Sequence, residues 1–558
     1  MEQRRALIAA ALCLAILLVY QEAVRRFYPP PPPGTPGEVS ENADQPASAP
    51  SAAEQPAVAN AQHPAAAAAP ATIVTVETEL YTARVSSSGG RLVSLKLKRF
   101  RTTIDPASEP LEMVDVVPGA APPLGLRMIA DNGKVEDDTD VAYAPDQQAM
   151  ELSGPDTATL TLRGTLPSGA AIEKKLTFTG NAYPITLEAR VPEPASHVTR
   201  IGVGWRRHVV ITSAKDPDNR YRSAVVLQNN KLVHEVPVVE PGGPPPPKQF
   251  DPPVAWAGYA DHYFLAAIAP EDAATGAAAV GGEHDGVQIL LTAPRTGDGA
   301  RFTLYVGPKD VDVLEHADHQ FARAVEFGWF SFLAVPLLRL LNLFHGLTRN
   351  YGIDVILLTL LVKGLFLPLS QKSMKSMRDM QRLQPQVAKL REKFKDDRER
   401  LNKEMMELYR RHRVNPLGGC LPMVLQLPVF IGLYQALGQA IELRHAKFAF
   451  WVRDLSAHEC YPWPGQAPSV GCNQFSILGM PIPVLVLLMG ASMLLQQYLS
   501  PSSGMDPAQQ RMMMVVMPVM FTVMFVSFPS GLVLYWLVNN LLTIGQQWWT
   551  NRTATTTA

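Results

Sequence analysis

The sequence predicts a polytopic α-helical membrane protein that carries one large all-β domain outside the bilayer. Three observations predict it. Apolar runs of membrane length crowd the second half of the 558 residues, short alternating segments fill residues 72 to 309, and a Pro/Ala-rich stretch separates these from an apolar N-terminal run. The formal net charge of -1 points to no class of partner. Four cysteines are too few for a disulfide scaffold.

Arg4 and Arg5 precede the apolar run Ala6–Tyr20, as in a secretory signal or an uncleaved anchor. No small-residue cleavage site follows the run, and Leu12 stands before Cys13, so residues 1–28 are expected to stay as a transmembrane anchor with a cytoplasmic N-terminus. Residues 29–71, with five consecutive prolines at Pro29–Pro33, cannot bury enough apolar surface to offset their ordering entropy and read as a disordered tether.

Residues 72–318 read as a β-sandwich. Ile73–Val76, Leu80–Val85, Leu92–Leu97, Thr159–Leu162, Ile172–Phe178, Ile185–Val191, Val287–Leu291 and Phe302–Val306 alternate with period two, and Ser88-Gly89-Gly90 suits a hairpin turn. Its histidines lack ligand spacing, and Gly202-Val203-Gly204 lacks the rest of a nucleotide fingerprint, so a structural or binding role is expected.

Phe321–Leu347 is apolar enough to span, yet Arg339, Asn342, His345 and Arg349 recur at helical spacing. With Trp329, Phe330 and Phe332 at one end, residues 319–349 are expected to form an interfacial helix. The next span, 350–370, holds Lys363 in its middle and Thr359 one turn earlier. An ammonium at bilayer depth costs about 2.5 to 3.5 kcal/mol on insertion scales, so Lys363 should face a wet cavity or a partner, the alternative being a chain that snorkels to the headgroups.

Residues 371–413 hold 14 Lys/Arg against 7 Asp/Glu, which marks residues 371–415 as cytoplasmic. Met374, Met377, Met380, Leu383, Val387, Leu390 and Phe394 form one apolar stripe and Leu401, Met405 and Leu408 another, with Asp396 and Asp397 between them. This predicts a hairpin of two amphipathic helices, either a solvated pair or a docking surface. Further spans are expected at 416–443, 477–498, 512–528 and 532–549, separated by an outer loop at 444–476, a cytoplasmic loop at 499–511 and a tight turn at Phe528–Gly531; residues 550–558 form a cytoplasmic tail. Gln426, Gln435 and Gln439 in the first of these spans, and Trp536, Asn539, Thr543 and Gln546 on one face of the last, suggest a wet interior. Cys460 and Cys472, close together in the outer loop, are either a disulfide or two free thiols, with the disulfide expected. The count is six spans, with both termini in the cytoplasm.

Asn415-Pro416-Leu417-Gly418-Gly419-Cys420 with Pro422, Gln426 and Pro428, Leu383-Gln384-Pro385 in the hairpin, and Phe528-Pro529-Ser530-Gly531-Leu532-Val533-Leu534-Tyr535-Trp536 resemble, in this order and at these distances, the signatures of the YidC/Oxa/Alb family of membrane protein insertases in its six-span bacterial form. The resemblance implies a five-helix core in the bacterial inner membrane, a periplasmic β supersandwich, and a hydrophilic groove open to cytoplasm and lipid. Carried onto this sequence, the groove would comprise Lys363, Thr359, Gln426, Gln435, Tyr535, Trp536, Asn539, Thr543 and Gln546, and the docking hairpin Met377, Met380, Leu383, Asp396 and Asp397. Lys363 stands where the family usually has arginine, which keeps the charge and loses the bidentate fork. Implied partners are nascent membrane proteins, the Sec translocon with its accessory subunits, the ribosome and membrane lipids; no cofactor, metal, nucleotide or covalent catalysis is expected. The rival readings are a secondary transporter and a membrane-anchored carbohydrate enzyme or lectin.

Overall fold

The structure, a computed structural model, describes residues 71–555 except 117–121, 193–196, 210–221, 237–245, 284–285, 395–396, 413, 415–420, 461–471, 478–479 and 500–511. The expected anchor, the tether up to Pro70, the Asn415–Cys420 string and Asp396 therefore lie outside the described residues.

Strands between Ile73 and Pro308 build sheets of nine, six and five strands among the described residues. Alternation does this work. In Ala171–Thr179, Ile172, Lys174, Leu176 and Phe178 point inward while their neighbours face out, and the strand pairs antiparallel with Pro184–Arg190 and Thr157–Thr165. Pro184–Arg190 in turn pairs with Gly299–Pro308, which pairs with Phe264–Pro270, so the middle of the large sheet comes from distant parts of the chain. Tyr81–Ser86 and Arg91–Arg101 form the expected hairpin, with Gly89 (φ 65°) and Gly90 (φ 57°) in the left-handed region that this turn requires.

Lys174 is fully buried on that inward row, and its ammonium ties the three sheets together. It donates to the carbonyls of Gly89 and Gly90 at 3.1 Å each, of Leu124 at 2.9 Å, and to Asp138 Oδ2 at 2.7 Å. Asp138, also fully buried, receives Leu126 N–H at 2.8 Å and Tyr143 O–H at 3.1 Å, and pairs with Arg91 at 3.2 Å. Gly89 and Gly90 belong to the five-stranded sheet's hairpin, Leu124 and Asp138 flank strands of the six-stranded sheet, and Lys174 belongs to the nine-stranded one.

The helical region follows as α1 (Val311–His316), α2 (Ser331–Thr348), α3 (Tyr351–Arg382), α4 (Gln384–Lys393), α5 (Arg398–Arg411), α6 (Leu421–Gln439), α7 (Val484–Leu499), α8 (Met517–Phe525) and α9 (Ser530–Thr555). Gly328–Thr348 and Tyr351–Arg382 are long and apolar enough to cross a membrane. Asn350 starts α3 by accepting the N–H groups of Gly352 (3.0 Å) and Ile353 (3.3 Å). The helix then runs past the boundary expected at 370, so the first arm of the basic hairpin begins as its continuation. It breaks at Leu383, where Pro385 sits in the first turn of α4 and its missing N–H is no loss. Asp397, as expected, caps α5, accepting Arg400 N–H at 3.0 Å. Other boundaries shift as well. Ser476–Ile477 pairs with Met480–Pro481 in a two-stranded ribbon, so α7 begins only at Val484, and α9 extends to Thr555.

The polar stripe on α2 finds protein partners: Arg339 meets Glu315 at 3.1 Å, Asn342 donates to Glu442 at 3.0 Å, and His345 Nδ1 lies 2.9 Å from the fully buried Asp354. Cys460 and Cys472 are joined in a disulfide with Cα atoms 5.2 Å apart. Beside it Glu459, 1 % exposed, accepts the N–H groups of Leu485 (3.0 Å) and Val486 (2.9 Å) at the start of α7 and the indole N–H of Trp451 (2.7 Å). A carboxylate at a helix N-terminus satisfies its open amides and its dipole together. Asn473 binds Arg453 N–H, Asp454 N–H, the Asp454 carbonyl and Ser530 Oγ, fastening the outer loop to the first turn of α9.

Candidate functional site

The site is a polar seam between α3 and α9. Lys363, half-buried, donates to Thr543 Oγ1 at 2.6 Å and Asn539 Oδ1 at 3.2 Å. Thr543 donates its own hydroxyl to the Asn539 carbonyl at 2.7 Å, which leaves its oxygen free to accept from the ammonium. Further along, Ser370 donates to Gln546 Oε1 at 3.1 Å and Arg378 to the Thr550 carbonyl at 3.1 Å. Lys363–Asn539 and Ser370–Gln546 share one sequence separation, 176 residues, so α3 and α9 run parallel. The spacing that put Asn539, Thr543 and Gln546 on one helical face is the spacing that lets them meet α3.

On the other side of Lys363, Leu360, Leu361 and Leu365 are 45, 51 and 76 % exposed. The cation therefore stands where an exposed apolar surface meets a polar seam. Asn539 and Thr543 are neutral and engage two of its three N–H donors. Gln426 of α6 closes the site from a third helix, donating to the buried Tyr535 hydroxyl at 3.4 Å. The Nε2 of Gln546 is buried without a protein partner, in keeping with a hydrated interior.

The structure places three expected groove residues outside these Lys363 contacts. Thr359 is 1 % exposed and its hydroxyl donates to the Val355 carbonyl at 2.6 Å, one turn back in its own helix. Gln435 stands nine residues beyond Gln426, about 13.5 Å along the helix axis, and lines a separate cavity under the β domain. Trp536 turns into an aromatic cluster, with ring centroids 4.8 Å from Phe430, 5.3 Å from Phe525 and 6.1 Å from Phe521. Periodicity identifies a face, whereas these three needed the neighbouring helix. Ser370 was missed, although it stands seven residues after Lys363 and so shares its face.

In the hairpin, Leu383 and Val387 are buried and Met377 and Met380 partly so, while Met406 of the second arm is 58 % exposed. Lys389, Lys393, Glu404, Glu407 and Arg411 line the cleft between α4 and α5.

Two family patterns match nearly the whole described chain: one described as YidC periplasmic domain over residues 73–340, and one described as 60Kd inner membrane protein over residues 343–557. A membrane protein insertase YidC of Pelobacter propionicus is 39 % identical over 530 residues, covering 92 % of this chain and 93 % of its own. The Nitratidesulfovibrio vulgaris protein of the same name is 37 % identical over 585 residues, covering 99 % of this chain and all of its own. A crystal structure of an active YidC insertase aligns over 86 % of this chain and 94 % of its own, at 16 % identity and a TM-score of 0.34. With identity sustained through both the β domain and the helices that hold Lys363, this chain belongs to the YidC family of membrane protein insertases.

Proposed function

We propose that the chain inserts membrane proteins through the seam at Lys363, lowering the cost of carrying a short polar tail across the bilayer while the substrate's apolar helix leaves sideways into lipid. The observation that carries this is an ammonium bonded to two neutral side chains, beside exposed leucines and a buried unpartnered donor. Such a cation attracts an acidic tail, and the polar seam replaces part of the tail's hydration. The driving force is hydrophobic transfer of the substrate helix.

The parallel packing of α3 and α9 supports the five-helix core, since crossings by α6, α7 and α8 between them return the chain to its original direction. With the N-terminal anchor the count is six, both termini are cytoplasmic, and the β domain is periplasmic in the bacterial inner membrane. Helix α2 lies along the outer surface instead of crossing. Arg339 binds Glu315 just after the β domain, and Asn350 beyond its far end donates to the Phe448 carbonyl at 3.1 Å, in a loop whose Arg444 reaches the Arg101 carbonyl at 2.9 Å.

A photoreactive residue at Gln426 or Thr543 is expected to crosslink a single-span substrate during its synthesis, and one at Leu487, on the exposed face of α7, much less. Equal yields from all three positions would remove the groove.

The basic hairpin serves as the cytoplasmic docking surface for ribosome and Sec translocon, with lipids around the core. Aspartates at Met377, Met380 and Leu383 are expected to reduce insertion at least tenfold, whereas deleting residues 397–400 at the tip leaves most of it, because the stripe packs and the tip is solvated. Insertion assayed in depleted cells at matched protein levels distinguishes the two, and equal losses overturn the docking role.

A further inference from the structure

A cavity of about 510 Å³ lies between the β domain and the outer ends of the helices. Its roof holds Lys309, Glu326, His234 and His262, and its floor is made by the last two turns of α6, including Gln435, and by Ser527 and Pro529 before α9. The two halves are tied together where His262 Nε2 meets the Gly438 carbonyl at 2.5 Å, near the C-terminal end of α6, where backbone carbonyls lack helical partners.

The polar groups are arranged by opposite charge. Lys309 is 7 % exposed and its ammonium donates to one backbone carbonyl, that of Asp261, at 2.9 Å. Burial pushes its pKa below the ordinary lysine value, so a charged occupant near it would recover lost solvation. Glu326 Oε2 is held 2.7 Å from His234 Nε2, whose other nitrogen lies 2.9 Å from Ser223 Oγ; its second oxygen has no such tie. Gln435 Oε1 is buried with no protein partner. The cavity thus offers a buried cationic donor together with two acceptors, the Glu326 carboxylate and the Gln435 carbonyl oxygen.

We propose that it holds the headgroup of a zwitterionic phospholipid of the phosphoethanolamine class, the phosphate beside Lys309 and the ammonium between Glu326 and Gln435. This rests on the membrane-spanning reading above, which puts the cavity at headgroup level. Its volume lies within the range that encloses a small ligand, and is far too small for a folded partner. The acyl chains have a route: Leu427 and Tyr434 are 55 and 39 % exposed, seven residues apart, and share the face of α6 that leads to the mouth. A bound headgroup would hold the β domain against the helices as a third partner to His262 and Arg444.

The test is native mass spectrometry of the full chain released from nanodiscs of equimolar phosphatidylethanolamine, phosphatidylglycerol and phosphatidylcholine. One retained phosphatidylethanolamine per chain is expected. Lys309→Met should cut its retention at least tenfold, Lys309→Arg should restore it, and Glu326→Gln should abolish the preference for phosphatidylethanolamine over the other two lipids. Gln439→Leu, which narrows the cavity without touching a buried charge, should also lower retention, and it carries the test if Lys309→Met does not fold. Soluble glycerophosphoethanolamine in the buffer distinguishes the sources: displacement of the lipid only at large excess supports a lipid site, whereas equal occupancy by the soluble headgroup overturns it. Retention unaffected by these variants, or blind to headgroup, overturns the proposal, as does a photoreactive residue at Gln439 that captures nascent chain instead of lipid. Crosslinking at Gln426 and Thr543, run in parallel, separates the two readings: lost lipid selectivity with intact groove crosslinks condemns only the headgroup site.

Discussion

Lys174→Met is expected to destabilise the β domain by about 3 to 5 kcal/mol, because it removes one partner of a fully buried ion pair. Asp138 keeps Arg91, Tyr143 and the Leu126 amide, but the Gly89, Gly90 and Leu124 carbonyls lose their shared donor. Removing both charges together, as Lys174→Met with Asp138→Leu, should cost less than the single change, since a buried ion pair is seldom better than a well-packed apolar one. The pH dependence has a definite sign. Burial lowers the folded pKa of Lys174 to about 8, against about 10.4 in an unfolded chain. Between these values the unfolded chain binds the proton that the folded one has released, so stability rises with pH through that window. Above pH 10 the slope reverses, because burial holds Tyr81 and Tyr143 protonated past the point where unfolded tyrosine ionises. Denaturant unfolding of the full chain, followed through the buried Trp205 and Trp256, should show the rise from pH 8 to 10 in the native sequence and a clearly smaller one in Lys174→Met, where Lys309, also lowered by burial, still contributes.

Lys363→Glu is expected to abolish insertion of substrates with acidic tails, Lys363→Ala to lower it at least tenfold, and Lys363→Arg to preserve it. Unit charges 4 Å apart interact by about 4 kcal/mol at an effective dielectric of 20, and about a third of that is a tenfold change in rate. The arginine can still donate to Asn539 and Thr543, since neither acceptor requires an ammonium. A reporter with a neutral tail should be nearly indifferent to the alanine change. Protease protection of the translocated tail at matched insertase levels measures both reporters. If alanine and glutamate leave both unchanged, charge plays no part, and hydration around Gln426, Asn539 and Gln546 is what remains of the mechanism.

Much of this was legible in the residues themselves. The alternation in Ile172–Phe178 defines a strand and, read strictly, already turns Lys174 toward the core; a lysine on an apolar row was the signal there to be used. The i, i+4 and i+7 steps from Asn539 to Thr543 and Gln546 identify the face that meets Lys363. Other features depend on contacts that no local pattern encodes. Glu459 caps a helix that begins 25 residues later, and Asn473 reaches Ser530 across two intervening helices, so neither differs in sequence from an ordinary loop residue. Thr359 and Gln435 differ in another way: each is polar within an apolar run, but the hydroxyl of one donates to its own backbone and the other lies at the far end of its helix. The start of α7 was displaced because Glu459, a cap outside the apolar run, sets it, whereas α3 starts where expected at Asn350 and differs only in running on to Arg382.

The separation of 176 residues between Lys363 and Asn539 also sets a clock. At about 5 to 20 residues per second of synthesis, the helix bearing Lys363 precedes its polar partner by roughly 9 to 35 s. For that interval the newborn ammonium can be satisfied only by water, by headgroups or by another polypeptide. Each new copy of this insertase thus presents, during its own biogenesis, the same buried-charge problem that the groove proposed above would relieve in others.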